Sequence, residues 1–102
     1  MTEIELKFNP EFIPLILSGK KVITTRMKPK GKIGDTFDIG GKKHVITYIH
    51  SDNLRYILRK YFYEGFKSKA EFHKALEKIY PEITLDSVVW VHYFEPVKKK
   101  VV

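Results

Sequence analysis

Polar and apolar residues alternate over residues 3–8, with Glu3, Glu5 and Lys7 on one side and Ile4, Leu6 and Phe8 on the other. Strict alternation predicts a half-buried strand. Asn9-Pro10 can then open a helix, with Asn9 as N-cap and Pro10 at the first position. Pro14 offers a second start, at its own first position. On either choice Phe12, Ile13, Leu15, Ile16 and Leu17 are mostly buried, and Gly19 suits the place just past the helix end. β-Branched residues from Val22 to Arg26 favour a strand. Residues 27–34 form a cationic loop with Pro29, Gly31 and Gly34. Alternation returns in 36–39 and 42–50. Gly40-Gly41 between them is a hairpin signal, because both central residues of the favoured turn need positive φ.

Past Ser51 the period changes. Leu54, Ile57, Leu58, Tyr61 and Phe62 recur at i, i+3, i+4, i+7 and i+8, one apolar face of a helix, with Arg55, Arg59 and Lys60 opposite. Glu64-Gly65-Phe66 ends it. Ser68-Lys69-Ala70-Glu71 reads as a capping box. It opens a second helix with Phe72, Ala75, Leu76, Ile79 and Tyr80 on one face, stopped by Pro81. Residues 87–95 are apolar on both faces, as a central strand would be. Strand, helix, several strands, two helices and a final strand predict an α+β fold. Its sheet is mostly antiparallel or closed into a small barrel, in one domain over residues 1–102.

Composition narrows the partners. No apolar run approaches the ~18 residues of a membrane span. The acidic, alternating start is no signal peptide, so a cytoplasmic protein without membrane association is expected. There is no cysteine, which excludes disulfides, thiolate nucleophiles and Cys-based zinc sites. Glutamine is absent and asparagine occurs only at Asn9 and Asn53, amid many Lys and Glu, a heat-adapted pattern. Lys and Arg exceed Asp and Glu by seven; Lys98, Lys99 and Lys100 sit in the tail, leaving four (7 − 3) on the body. A basic domain attracts polyanions such as RNA or DNA, although a solvated lysine-rich surface gives the same count.

The chemistry concentrates in Gly19-Lys20-Lys21-Val22-Ile23-Thr24-Thr25-Arg26. In a regular strand Val22, Thr24 and Arg26 share a face, with Lys21 at the helix-to-strand junction. A lysine made less basic by burial can deprotonate a threonine hydroxyl, and an arginine can fork onto a phosphate or carbonyl. A solvated strand edge fits the same residues. Glu64 falls in the last turn of its helix, where the dipole disfavours a carboxylate. It therefore implies a cationic partner, general acid–base work, or simple exposure. Tyr56 and Tyr63 lie off the apolar face and are candidates for exposed roles. His44, His50, His73 and His92 sit on different elements without ligand spacing, so no metal is expected. Gly31-Lys32-Ile33-Gly34 is too short for a phosphate loop.

The segment 19–26, Gly34-Asp35 before a strand, Glu64-Gly65-Phe66 with Ser68, Glu71-Phe72 and Tyr80-Pro81 together resemble the ASCH domain family. The resemblance implies a PUA-like small β-barrel with flanking helices and a cleft between barrel and helix lined by the first motif. The family is associated with RNA binding and coactivator-like roles. One small bacterial branch hydrolyses the acetyl amide of N4-acetylcytidine. The resemblance to it implies Thr24 as nucleophile, Lys21 as base and Glu64 as general acid/base, with Arg26 as the family's arginine. Val22 departs from that branch's threonine, and Thr25 from its isoleucine. Two functions are thus expected: binding of RNA or a nucleoside in a basic cleft, or amide hydrolysis. Lys20, Arg26 and Tyr63 are the expected ligand-binding residues, with Lys28, Lys30 and Lys32 nearby, and no cofactor is expected.

Overall fold

The computed structural model describes residues 2–98, so Lys99 and Lys100 of the tail lie outside it. Four strands, β1 (Ile23–Arg26), β2 (Thr36–Ile39), β3 (Lys42–Asn53) and β4 (Val88–Pro96), form one antiparallel sheet in the order β1-β4-β3-β2. The sheet curls into a half-barrel, and with its helices the fold is α+β. β4 is internal, as its two apolar faces predict. Val89 and Val91 join one buried cluster with Ile23, Leu54, Leu58 and Phe72, while Phe94 joins another with Leu6, Ile16, Phe37 and Ile46. Gly40 and Gly41, at φ 56 and 80, make the β2–β3 turn.

Residues 3–8 bury the expected side chains without forming the expected strand. Leu6 is buried, Ile4 and Phe8 half-buried, and Glu5 and Lys7 exposed. Among the described residues, however, the pairing there is a single parallel bridge, Glu3 with Thr36. Alternating burial needs an extended backbone but no ladder.

A short 3-10 turn, Pro10–Phe12, runs into helix α1, Ile13–Leu17. Both prolines stand where a backbone N–H is dispensable, in a first turn. In α1 only Ile16 is fully buried and Leu17 is largely exposed, fewer buried residues than the sequence predicts. Gly19 N–H donates to Ile16 O at 3.1 Å and Lys20 N–H to Leu15 O at 2.9 Å, a Schellman closure.

Helix α2 (Leu54–Ile57) runs into a 3-10 segment, Leu58–Glu64. The sequence predicts one α-helix with Phe62 inward. Instead the coil tightens to about three residues per turn. The segment also kinks at Lys60, whose φ −90 and ψ 16 are not helical. Leu58 and Glu64, on either side of the kink, are buried, whereas Phe62 is 73% exposed. The segment closes at Gly65, φ 87, where a Cβ would stand 3.0 Å from the Leu15 side chain. Helix α3 (Lys69–Ile79) starts at Ser68, whose Oγ accepts from Glu71 N–H at 3.1 Å. Glu71 Oε1 reaches Lys67 N–H at 3.4 Å, one residue before the place a strict box requires. No helix among the described residues is long and apolar enough to cross a membrane.

His92 pins the cationic loop. Lys30 N–H donates to its Nε2 at 2.9 Å, so Nδ1 carries the proton and donates to Thr24 O at 3.2 Å. Burial holds the pKa of His92, and likewise of His44, below the ordinary histidine value. A depressed folded-state pKa contributes stability that is present above the unfolded value, about 6.5, and is lost as pH falls through the folded value. Thermal melts from neutral pH down to mildly acidic pH should therefore show falling stability, and His92→Gln should shrink that slope. An unchanged slope would mean that His92 carries none of it.

Candidate functional site

Two main-chain ties fix the site before any side chain meets. Lys21 N–H donates to Leu15 O at 3.0 Å, at the end of α1, and Val22 N–H donates to Tyr63 O at 2.9 Å. The second tie joins the residue after Lys21 to the residue before Glu64. Lys21 Nζ ion-pairs with Glu64 Oε1, and Thr25 Oγ donates to Glu64 Oε2 at 2.6 Å. Lys21 is 4% exposed and Glu64 2%. Taking two charges out of water costs several kcal/mol each, so such a pair argues weakly for stability. Lining a cavity, it marks a functional-site candidate. The Lys21 ammonium also lies 5.1 Å from the Phe12 ring centre and 6.0 Å from that of Phe8.

Arg26 closes the other side. Its Nη2 donates to Lys7 O at 2.9 Å and its guanidinium lies 5.2 Å from the Phe8 ring centre. Its Nε is buried without a hydrogen-bond partner among the described residues. Burial pushes the pKa of Arg26 below its ordinary value, opposed by Tyr80 and Glu64.

Together these groups line a cavity of about 150 Å³. Lys21, Thr24, Thr25, Arg26 and Glu64 supply its polar surface; Phe8, Phe12, Phe66, Phe72, Leu76 and Tyr80 supply most of the rest. Phe66 stacks on Phe72 at 5.3 Å and 18°, and Phe12 meets Phe66 edge-on at 5.8 Å. Drug-sized sites run to roughly 300–1,000 Å³. A cavity this small suits a single ring.

Lys21, Thr24, Arg26 and Glu64 therefore converge from three elements. Lys20 and Tyr63 do not join them. The closure of α1 leaves Lys20 at the surface, and the 3-10 twist turns Tyr63 outward, 52% exposed, so that it contributes its carbonyl instead. Thr24 lines the cavity, but among the described residues its hydroxyl bonds neither Lys21 nor Glu64; Thr25 makes that contact. Strand alternation sets Thr25 apart from Thr24 and Arg26. β1 pairs with β4 alone, at the sheet's margin, and the cavity reaches around that margin to both faces. Phe8, Phe12 and Tyr80 are further residues that sequence reasoning did not assign to the site. Phe8 and Phe12 had one available signal, two rings shortly before the Gly19–Arg26 segment, and Tyr80 had its place among the motifs that carry the resemblance. Among the described residues no group of three His, Cys, Asp or Glu side chains is placed to hold a metal ion.

This fold is the ASCH-domain fold. The ASCH domain from Lactobacillus crispatus superposes with a TM-score of 0.70 at 12% identity, over 93% of this chain and 78% of that one. At higher identity, the chain is similar to hypothetical protein PH0355 (TM-score 0.69, 28% identity, 94% of this chain and 98% of that one). It is also similar to protein PF0455 from Pyrococcus furiosus (TM-score 0.67, 27% identity, 97% and 100%). No family model and no curated protein matches the sequence.

Proposed function

We propose that the cavity receives one nucleobase, carried by a nucleoside or by RNA. The observation that carries this reading is the buried Lys21–Glu64–Thr25 group set among aromatic side chains. A planar heterocycle buries its faces on rings and spends its edges on donors and acceptors. Arg26 Nε, buried and unpartnered, is a donor for a carbonyl or phosphate oxygen on the same ligand. Exposed Lys28, Lys30 and Lys32 add the positive field that draws a polyanion. Titration with cytidine, uridine, adenosine and a short RNA, followed by backbone NMR shifts, should move Thr24, Thr25 and Phe72. RNA affinity should fall steeply with salt through counterion release. A full nucleoside series that moves none of these signals would sink the reading.

Amide hydrolysis is a second reading, favoured by the placement of the Thr24 hydroxyl, Lys21 and Glu64 in one cavity. Lys21, having passed a proton to Glu64, takes the hydroxyl proton of Thr24 as that oxygen bonds the acetyl carbonyl carbon. The carbon–nitrogen bond breaks as Glu64 gives its proton to the exocyclic nitrogen, leaving cytidine and an acetyl ester on Thr24. Water then cleaves the ester, releasing acetate and restoring the hydroxyl. N4-acetylcytidine incubated with wild type should yield cytidine and acetate, and Thr24→Val should not. The short Thr25–Glu64 bond makes Thr25→Val the necessary companion. If Thr25→Val abolishes turnover and Thr24→Val does not, Thr24 is not the nucleophile. No release by wild type rejects hydrolysis of this substrate.

A further inference from the structure

Away from the cavity, three rings gather on one face of the sheet. Tyr48 and His50 stack at 5.6 Å and 29°, His50 and Tyr93 at 5.7 Å and 29°, and Tyr48 meets Tyr93 at 5.8 Å and 54°. Lys60 reaches over from the 3-10 segment, its Nζ 5.6 Å from the Tyr93 ring centre. None of the four lines the cavity.

The cluster is built by an irregularity of register. Ile46 pairs with Phe94, yet Tyr48 pairs with Tyr93, so one extra residue, Thr47, is accommodated in β3. In an unbroken ladder Thr47 would face Tyr93, and Tyr48 and His50 would share the face of Ile46 and the second core cluster. The bulge turns both rings to the opposite face, beside Tyr93. Bulges re-aim side chains in this way, and this one sets Tyr48 and His50 beside Tyr93, at the rim of the first core cluster. Tyr48 remains 53% exposed. Beyond Ile46, moreover, no backbone group among the described residues pairs with the side of β3 away from β4. The rings therefore stand at an open margin along which an extended chain can pass.

We propose that Tyr48, His50 and Tyr93, with Lys60, form a stacking platform for unpaired bases of a single-stranded nucleic acid. Every base offers a π-face to such rings, and the ammonium matches the phosphate backbone. The formal charge of +7 favours the same partner. A duplex keeps its bases stacked on each other and has none to offer. This platform does not depend on the cavity's occupant.

Fluorescence anisotropy with a labelled oligo(U) of about ten nucleotides tests it, against a duplex of equal length. Wild type should bind the single strand in preference. Tyr48→Ala should weaken binding about tenfold or more, while Tyr48→Phe, which keeps the ring, should bind nearly as wild type. Lys60→Ala should weaken binding and flatten its salt dependence. Tyr56→Ala, at an exposed tyrosine outside the cluster, should bind as wild type. The platform is overturned if wild type binds no single strand, if duplex binds equally well, or if Tyr48→Ala matches wild type. Tyr48-dependent binding without nucleoside shifts at Thr25 would remove the cavity reading and leave the platform standing.

Discussion

Lys21→Met should destabilise the protein by about 3–5 kcal/mol, the cost of leaving one partner of a buried ion pair uncompensated. The stranded group is Glu64, 2% exposed, with the single hydroxyl of Thr25 left on Oε2. For a domain of this size that loss corresponds to a melting temperature lower by about 15 °C or more. The double variant Lys21→Met with Glu64→Leu separates structure from function. Apolar replacement of both partners removes the desolvation penalty along with the attraction, so most of the stability should return. The double variant should nonetheless bind no nucleoside, because the cavity has lost the buried Lys21–Glu64 pair on which that reading rests. Denaturant unfolding of the three proteins measures the first effect. A single variant that unfolds at the wild-type midpoint would show that the carboxylate finds water.

The second large effect belongs to Phe72→Ala, at about 3–5 kcal/mol. Phe72 is fully buried in the cluster between α3 and the sheet, and its ring stacks on Phe66 in the cavity wall. Truncation removes core contacts and leaves a hole that merges with the cavity. Phe62→Ala is the matched control. The same residue type, on an equally apolar stretch of sequence, it is exposed and should change stability by no more than about 0.5 kcal/mol. Equal losses in the two variants would mean that Phe62 turns inward.

That contrast also locates the limit of the sequence. Spacing at i, i+4 puts Phe62 with Leu58 and leaves Glu64 at a helix end. The 3-10 turns together with the kink at Lys60 set Glu64 in the interior and Phe62 outside. Nothing in Leu58–Glu64 signals that kink, since side-chain spacing reports a helical face only while the helix is unbroken. By contrast β4, the Gly40-Gly41 hairpin and the Ser68 cap were legible, because each rests on a local rule that nothing distant overrides. The meeting of Lys21 with Glu64 lay between these cases. The residue types announced a cation and an anion in need of partners, and the resemblance of motifs paired them across the chain. Thr25 was missed because alternation assumes a strand with one buried face, whereas β1 at the sheet's margin is buried on both. The expected strand at 3–8 failed for the opposite reason: the burial pattern was right, but among the described residues the pairing stops at the Glu3–Thr36 bridge.

The Val22–Tyr63 tie has a wider consequence. Because a peptide–peptide bond clamps the two walls of the cavity beside the charged side chains, the spacing of the frame does not depend on which matched pair projects from it. The ammonium and carboxylate behave as interchangeable fittings on a fixed mount. Other polar pairs can be installed there with the spacing between their anchor points already decided.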